Sequence, residues 1–160
     1  ALNDLGSAAL MQDRLDDAEA RFRRMLAIYR EVYKDGHYLV GIATANLASV
    51  LTERKEYARA EELHREAIAV YERTLAPGNL HAAIGRIKLG RVLLRQERYA
   101  EAEVETRAGY ETVLKQASPS VSWLRSARMD LAAEYEALGQ PERAAEFRSG
   151  LAQGAEAADR

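Results

Sequence analysis

The sequence repeats itself with a period of 42 residues over almost its whole length. Leucine and alanine each recur at this interval, and a third position always carries glycine or alanine. The recurring residues are Leu5, Leu47, Leu89 and Leu131, then Ala18, Ala60, Ala102 and Ala144, and then Gly6, Ala48, Gly90 and Ala132. A fixed period of this size indicates one supersecondary unit that is stacked several times. Stacked units of this kind usually present an extended surface to other molecules.

Within each period, the apolar residues are spaced as on two amphipathic helices joined by a short turn. The predicted helices are Leu39–Arg54 and Tyr57–Leu75, Leu80–Glu97 and Tyr99–Gln116, and Ser120–Leu138 and Pro141–Ala152; the first unit begins inside a helix and continues with Asp16–Val32. Helices joined by such a short turn must lie antiparallel. The small residue near the end of the first helix and the alanine in the second then allow the two helices to approach closely.

These boundaries divide the chain into four units and a tail. The units are about 1–36, 37–78, 79–120 and 121–152, and together they form one solenoid domain over 1–152. Small and polar residues dominate after Gly150, so we expect residues 153–160 to be a flexible C-terminal tail.

Composition and charge exclude several classes of protein. The net charge is -2, which gives no general attraction to nucleic acid or to an anionic membrane. Cysteine is absent, which excludes disulfides and thiolate zinc sites and suits a reducing compartment. No apolar run approaches the roughly 20 residues that span a bilayer, and no signal peptide is visible. We therefore expect a cytoplasmic protein with no membrane or nucleic-acid partner.

Catalytic patterns are also missing from the sequence. It contains no phosphate-binding glycine loop, no paired-histidine zinc motif and no nucleophile elbow. His64 stands one period after Phe22, which favours a packing role, while His37 and His81 lie near turns and are expected to be exposed or to cap helices. We expect no enzymatic activity, no cofactor and no metal site.

The arrangement of the recurring residues resembles the tetratricopeptide repeat. The residues that carry the resemblance are Leu89-Gly90, Tyr99, Ala102 and Pro119, and one period earlier Leu47-Ala48, Tyr57, Ala60 and Pro77. The common form of that repeat has roughly 34 residues, and the longer period here adds about two helical turns per unit. The longer form is similar to the kinesin-light-chain type. The resemblance implies an all-α, right-handed solenoid of about four helix-turn-helix units.

The resemblance is imperfect in three units. Pro141 replaces a large side chain, and Met25 and Gly109 stand where alanine is usual. The fourth unit is therefore interpreted as a terminal cap. Residues 131–148 also resemble the closing repeat of bacterial arrays, which often follow serine/threonine kinase or other regulatory domains. This second resemblance suggests the C-terminal array of a larger bacterial regulator.

The resemblance implies a partner-binding site on the concave face, which the first helix of each unit lines. Carried over by position, the candidate site residues are Asn46, Ser49, Glu53, Lys88, Arg91 and Arg95. An asparagine amide can both donate to and accept from a peptide backbone. The three basic residues share one helix face, and arginine binds carboxylates with two parallel hydrogen bonds. The alternative is that these charges are solvated or pair within the chain, as Glu53 and Arg95 could do.

These observations favour a protein-interaction scaffold that holds a peptide or partner segment, acidic in character, in the concave groove. The alternative is a structural spacer or oligomerisation arm of a larger multidomain protein such as a bacterial serine/threonine kinase. Leu2, Leu5 and Ala9 lack an upstream repeat to cover them. We therefore also expect self-association through the N-terminal edge, or further repeats before it.

Overall fold

The computed structural model describes residues 2–34 and 36–158, with side chains placed as far as Ser149. Over these residues the chain forms α-helices and turns, without a β-strand, which confirms the predicted all-α class. The helices are α1 (Leu2–Met11), α2 (Leu15–Tyr33), α3 (Tyr38–Glu53), α4 (Tyr57–Thr74), α5 (Leu80–Arg95), α6 (Tyr99–Leu114), α7 (Val121–Ala137) and α8 (Pro141–Ala158).

The predicted and observed helix ends agree to within about two residues, apart from the end of the last helix. We predicted that this helix would end at Ala152, and α8 continues to Ala158. Alanine occupies four of the eight positions in residues 151–158 and is the strongest helix former, so the small residues there extend the helix. The flexibility of the tail stays a prediction, and residues 159–160 lie outside the described part.

Each turn inside a repeat closes in the same way. The second residue after the first helix has a positive φ at four positions that share one place in the period, namely Asp13, Lys55, Glu97 and Gly139. The next backbone N–H then donates to a carbonyl five residues back, as Arg98 does to Leu93 at 3.0 Å. This is the Schellman ending of a helix, in which a left-handed residue satisfies free carbonyls. The turn is therefore a repeated structural element, although only its fourth copy uses glycine.

The chain forms two compact parts, residues 1–85 and 86–160. In the first part, α2 packs between α1 and α3, and α3 packs against α4. The core of the contact between α2 and α3 contains Phe22, Met25, Leu26, Leu47 and Val50. Gly6 lies so close to this core that an added Cβ would stand 2.5 Å from the Phe22 ring.

In the second compact part, α7 packs against both α6 and α8. Leu131, Tyr135 and Ala144 form a buried cluster there, and Phe147 packs against it. A Cβ added at Gly90 would stand 2.0 Å from the Thr106 hydroxyl oxygen. A small residue is therefore required at this crossing, as the sequence pattern predicted. The recurring alanines Ala18, Ala60, Ala102 and Ala144 are all fully buried.

The first repeat, residues 1–36, has an edge at which apolar side chains are exposed. Leu5 is 51% exposed, whereas Leu89 and Leu131 at the same place in the period are 1% and 0% exposed. Ile28 is likewise exposed, although Val70 one period later is buried. The same repeat positions are thus core inside the array and surface at its first helices.

Candidate functional site

The α3 part of the predicted site presents small and polar groups. Asn46 is half-buried, and its amide donates a 2.7 Å hydrogen bond to the Asn3 side-chain oxygen on α1. The Ser49 hydroxyl donates to the Ala45 carbonyl of its own helix at 3.0 Å. Glu53 is exposed at the end of α3. Asn46 therefore already has one side-chain partner, and a peptide would have to share or replace it.

Arg91, in the α5 part of the site, is engaged by α7. Its Nη2 and Nε atoms donate to one carboxylate oxygen of Asp130, at 2.7 and 3.1 Å. Nη2 also donates to the Ser126 hydroxyl. The side chain of Asp130 is 13% exposed and that of Arg91 is 33% exposed, so this pair is partly shielded from solvent. For Arg91, the structure therefore shows the intramolecular pairing that the sequence left open.

Lys88 and Arg95 lie on either side of Arg91 along α5. The Lys88 ammonium nitrogen lies 5.7 Å from the centre of the Trp123 ring on α7, in cation–π geometry. Burial, and then the positive charge of Arg91, lower the pKa of Lys88 below its usual value. Arg95 is exposed, and it has no ion-pair partner among the described residues. On α7, the small side chains of Ala133 and Ala137 are exposed.

A buried carboxyl group lies behind this surface, and the sequence analysis did not identify it. Glu134 of α7 is 0% exposed, and its Oε1 accepts a 2.7 Å hydrogen bond from the Thr106 hydroxyl. Its Oε2 has no hydrogen-bond partner in the described part of the chain. Burial is the main reason that the pKa of Glu134 is raised to about 8, and the carboxylates of Asp130 and Glu103 add to the effect. The signal was available, because valine stands at this place in the second and third repeats, as Val50 and Val92.

The three histidines have structural roles. His64 is buried, as predicted. His37 caps α3, because its Nδ1 accepts a 3.2 Å hydrogen bond from the Leu39 backbone N–H. His81 is exposed and stacks on Tyr71 with ring centres 5.3 Å apart. Among the described residues, no group of three or more histidine, aspartate or glutamate side chains is placed to hold a metal ion.

No helix in the described part of the chain combines the length and the apolar character that crossing a membrane requires.

Comparison with known proteins identifies the repeat. The sequence pattern of the tetratricopeptide repeat matches residues 1–73 and 41–104. Among solved structures, BtubC (BKLC) from P. vanneervenii is similar with a TM-score of 0.87 and 19% identity, over 99% of this chain and 63% of that one. A kinesin-light-chain-type protein of Podosopora anserina with nearly identical TPR-like repeats is similar with a TM-score of 0.80 and 18% identity, over 94% of this chain and 71% of that one. No curated protein sequence gives a match.

These likenesses establish the fold and the kind of repeat. At such low identity they do not transfer a partner or a cargo. The chain spans 63% of the length of the BtubC chain. The array of helix-turn-helix units in the TPR-solenoid class, which the sequence predicted, is confirmed by this similarity.

Proposed function

The chain belongs to the tetratricopeptide repeat family, and we propose that it holds an acidic segment of a partner protein on the face formed by its first helices. The family's fold supports a role as a protein–protein interaction scaffold. The finer proposal has two separate parts: Lys88 and Arg95 of α5 bind carboxylates, and Asn46 and Ser49 of α3 contact the backbone of a bound segment. We also propose a cytoplasmic location and no catalytic activity or cofactor.

The exposed guanidinium of Arg95 is the observation that supports this proposal most directly. It is available to a ligand, whereas Arg91 is held by Asp130 and acts as a positioning residue that fixes α5 against α7. Ala133 and Ala137 on α7 are small and exposed, which leaves room there for an extended backbone. Glu53 at the end of α3 would face a basic or polar group of a segment that is bound at α3.

Charge reversal at Arg95 tests this proposal. We expect Arg95→Glu to weaken binding of the natural partner by about 1–3 kcal/mol, because a charged hydrogen bond is lost and a repulsion is added. Binding by the wild type should also weaken as ionic strength rises above about 0.15 M. Titration calorimetry with the partner, identified by cross-linking and then purified, measures both effects.

Arg107→Glu is the matched control for this experiment. Arg107 is equally basic and exposed, but it lies on the second helix of its unit and pairs with Glu103 at 2.8 Å. Equal affinities for wild type and Arg95→Glu in a folded protein would contradict the proposed site. That outcome would favour the spacer or oligomerisation role.

The uncovered edge of the first unit supports self-association as a second candidate function. Leu5 and Ile28 are exposed there, although their counterparts inside the array are buried. Covering such a surface with a second chain removes apolar area from water, at about 25 cal/mol per Å².

We expect sedimentation velocity to show a concentration-dependent dimer or larger species that Leu5→Lys removes. Met129→Lys is the control, since Met129 lies in the second compact part, residues 86–160, and is exposed to a similar extent. A wild-type chain that stays monomeric at high concentration would contradict self-association through this edge. So would a loss of association in both variants.

A further inference from the structure

An open groove runs between α2 and α4 in the first compact part, residues 1–85. It lies on the side formed by the second helices of the repeats. It has a volume of about 490 Å³. Its floor is apolar and is formed by Leu47 and Leu51 of α3, with Leu26 and Leu63 on its walls. A groove of this size accepts a branched apolar side chain together with part of its backbone.

The charges around the groove are distributed unequally between its two ends. At one end the Arg30 guanidinium of α2 and the Glu66 carboxylate of α4 are joined by a 2.5 Å ion pair. Arg23 of α2 and Arg59 of α4 line the groove about two helical turns before these residues. At one end an ion pair therefore crosses the groove, whereas at the other end an arginine stands on each side and pairs within its own helix or helix end.

The two arginines at this second end have their ion pairs within their own helices or helix ends. Arg23 pairs with Glu19 and Arg59 pairs with Glu56, both at 2.5 Å. Both arginine side chains are more than half exposed. Glu62 also lines the groove, and it lies one helical turn further along α4 than Arg59. Two guanidinium groups that flank an apolar floor are complementary to a carboxylate that stands next to an apolar side chain.

We propose that this groove binds a segment of a partner protein in which a leucine-type side chain stands beside acidic residues. The leucine-type side chain occupies the floor over Leu47 and Leu51, and a neighbouring carboxylate lies between Arg23 and Arg59. This site is separate from the α5 surface of the proposed function and does not rest on it.

The repeat supplies matched controls for both parts of the site. Ala27 lines the groove and is exposed, and Ala69 has the same place in the next unit, is equally exposed and does not line it. Arg65 is the counterpart of Arg23, and it pairs with Glu61 four residues earlier, as Arg23 does with Glu19. Within each pair, the main difference is that one position lines the groove and the other does not.

The experiment measures binding of a fluorescein-labelled peptide in which one leucine is flanked on each side by two glutamates. Fluorescence anisotropy should show saturable binding to the wild-type chain and none of a peptide with lysines in place of the glutamates. Ala27→Phe fills the groove and should lower the affinity at least tenfold, whereas Ala69→Phe should change it less than twofold. Arg23→Glu should lower the affinity at least fivefold, and Arg65→Glu should not.

Several results would overturn the proposal. One is the absence of saturable binding of the acidic leucine peptide. Equal losses for Ala27→Phe and Ala69→Phe, in variants with unchanged helical content, would also reject the groove. A loss with Arg95→Glu but not with Ala27→Phe would assign the peptide to the α5 surface. A chain whose self-association is removed by Ala27→Phe, without peptide binding, would make a second copy the occupant.

Discussion

Replacing Leu89 by alanine is expected to lower the free energy of unfolding by about 2–5 kcal/mol. Leu89 is 1% exposed in the middle of α5, and its removal leaves a cavity that close packing cannot fill. The measurement is urea unfolding followed by circular dichroism. Because repeat arrays unfold through nearest-neighbour units, the loss should be fitted together with any change in the slope of the transition.

Leu5→Ala is the control for this substitution. Leu5 has the same place in the period but is half exposed, so its truncation should cost less than about 1 kcal/mol. The comparison separates the effect of burial from the intrinsic preference of leucine for a helix. A loss below about 0.5 kcal/mol at Leu89, or equal losses at the two positions, would contradict the described packing of the array.

The second large effect concerns Glu134 and depends on pH. Its pKa is raised from 4.5 to about 8 in the folded chain, mainly by burial. The folded state therefore keeps the proton that the unfolded chain releases near pH 4.5. The stabilising contribution is complete below that pH and is lost as pH rises through about 8. We expect it to fall by about 3 kcal/mol between pH 5 and pH 8, since each unit of pKa shift is worth about 1.4 kcal/mol.

Glu134→Gln removes this titration while keeping an oxygen that can accept from the Thr106 hydroxyl. Its free energy of unfolding should therefore exceed that of the wild type by an amount that grows from pH 5.5 to pH 8.5. Glu136→Gln is the control, since Glu136 is exposed two residues further along α7 and pairs with Arg148. A difference between wild type and Glu134→Gln that stays constant over this pH range would show that the carboxyl is already charged in the folded protein.

The period of the sequence was sufficient to predict the repeat architecture. A position that recurs every 42 residues has the same surroundings in each unit, so Ala60 and Ala102 are both buried as expected. The same reasoning predicted that Leu2, Leu5 and Ala9 would lack cover. Leu5 is exposed, but Leu2 is partly buried and Ala9 is fully buried in the core with Phe22. The length of α8 was missed because small and polar residues were interpreted as a tail, although alanine and glutamate also favour helix.

The candidate site was harder to predict because it depends on which side chains meet. Periodicity placed Lys88, Arg91 and Arg95 on one face, but it could not show that Asp130 reaches Arg91 from α7. Glutamate is usually at the surface, so the residue type alone did not indicate that Glu134 is buried. The stronger signal was that buried valines occupy the same position in two earlier repeats. The groove between α2 and α4 depends on the spacing of two helices, which the sequence pattern does not specify.

Hydrogen–deuterium exchange of the chain with and without its purified partner tests the central claim most directly. The claim is that the first-helix face, and α5 in particular, holds the partner segment. We predict increased protection in α5 and α7 on binding, and loss of that protection when Arg95 is replaced by glutamate. Protection confined to the second helices α4 and α6, with α5 and α7 unchanged, would contradict the account.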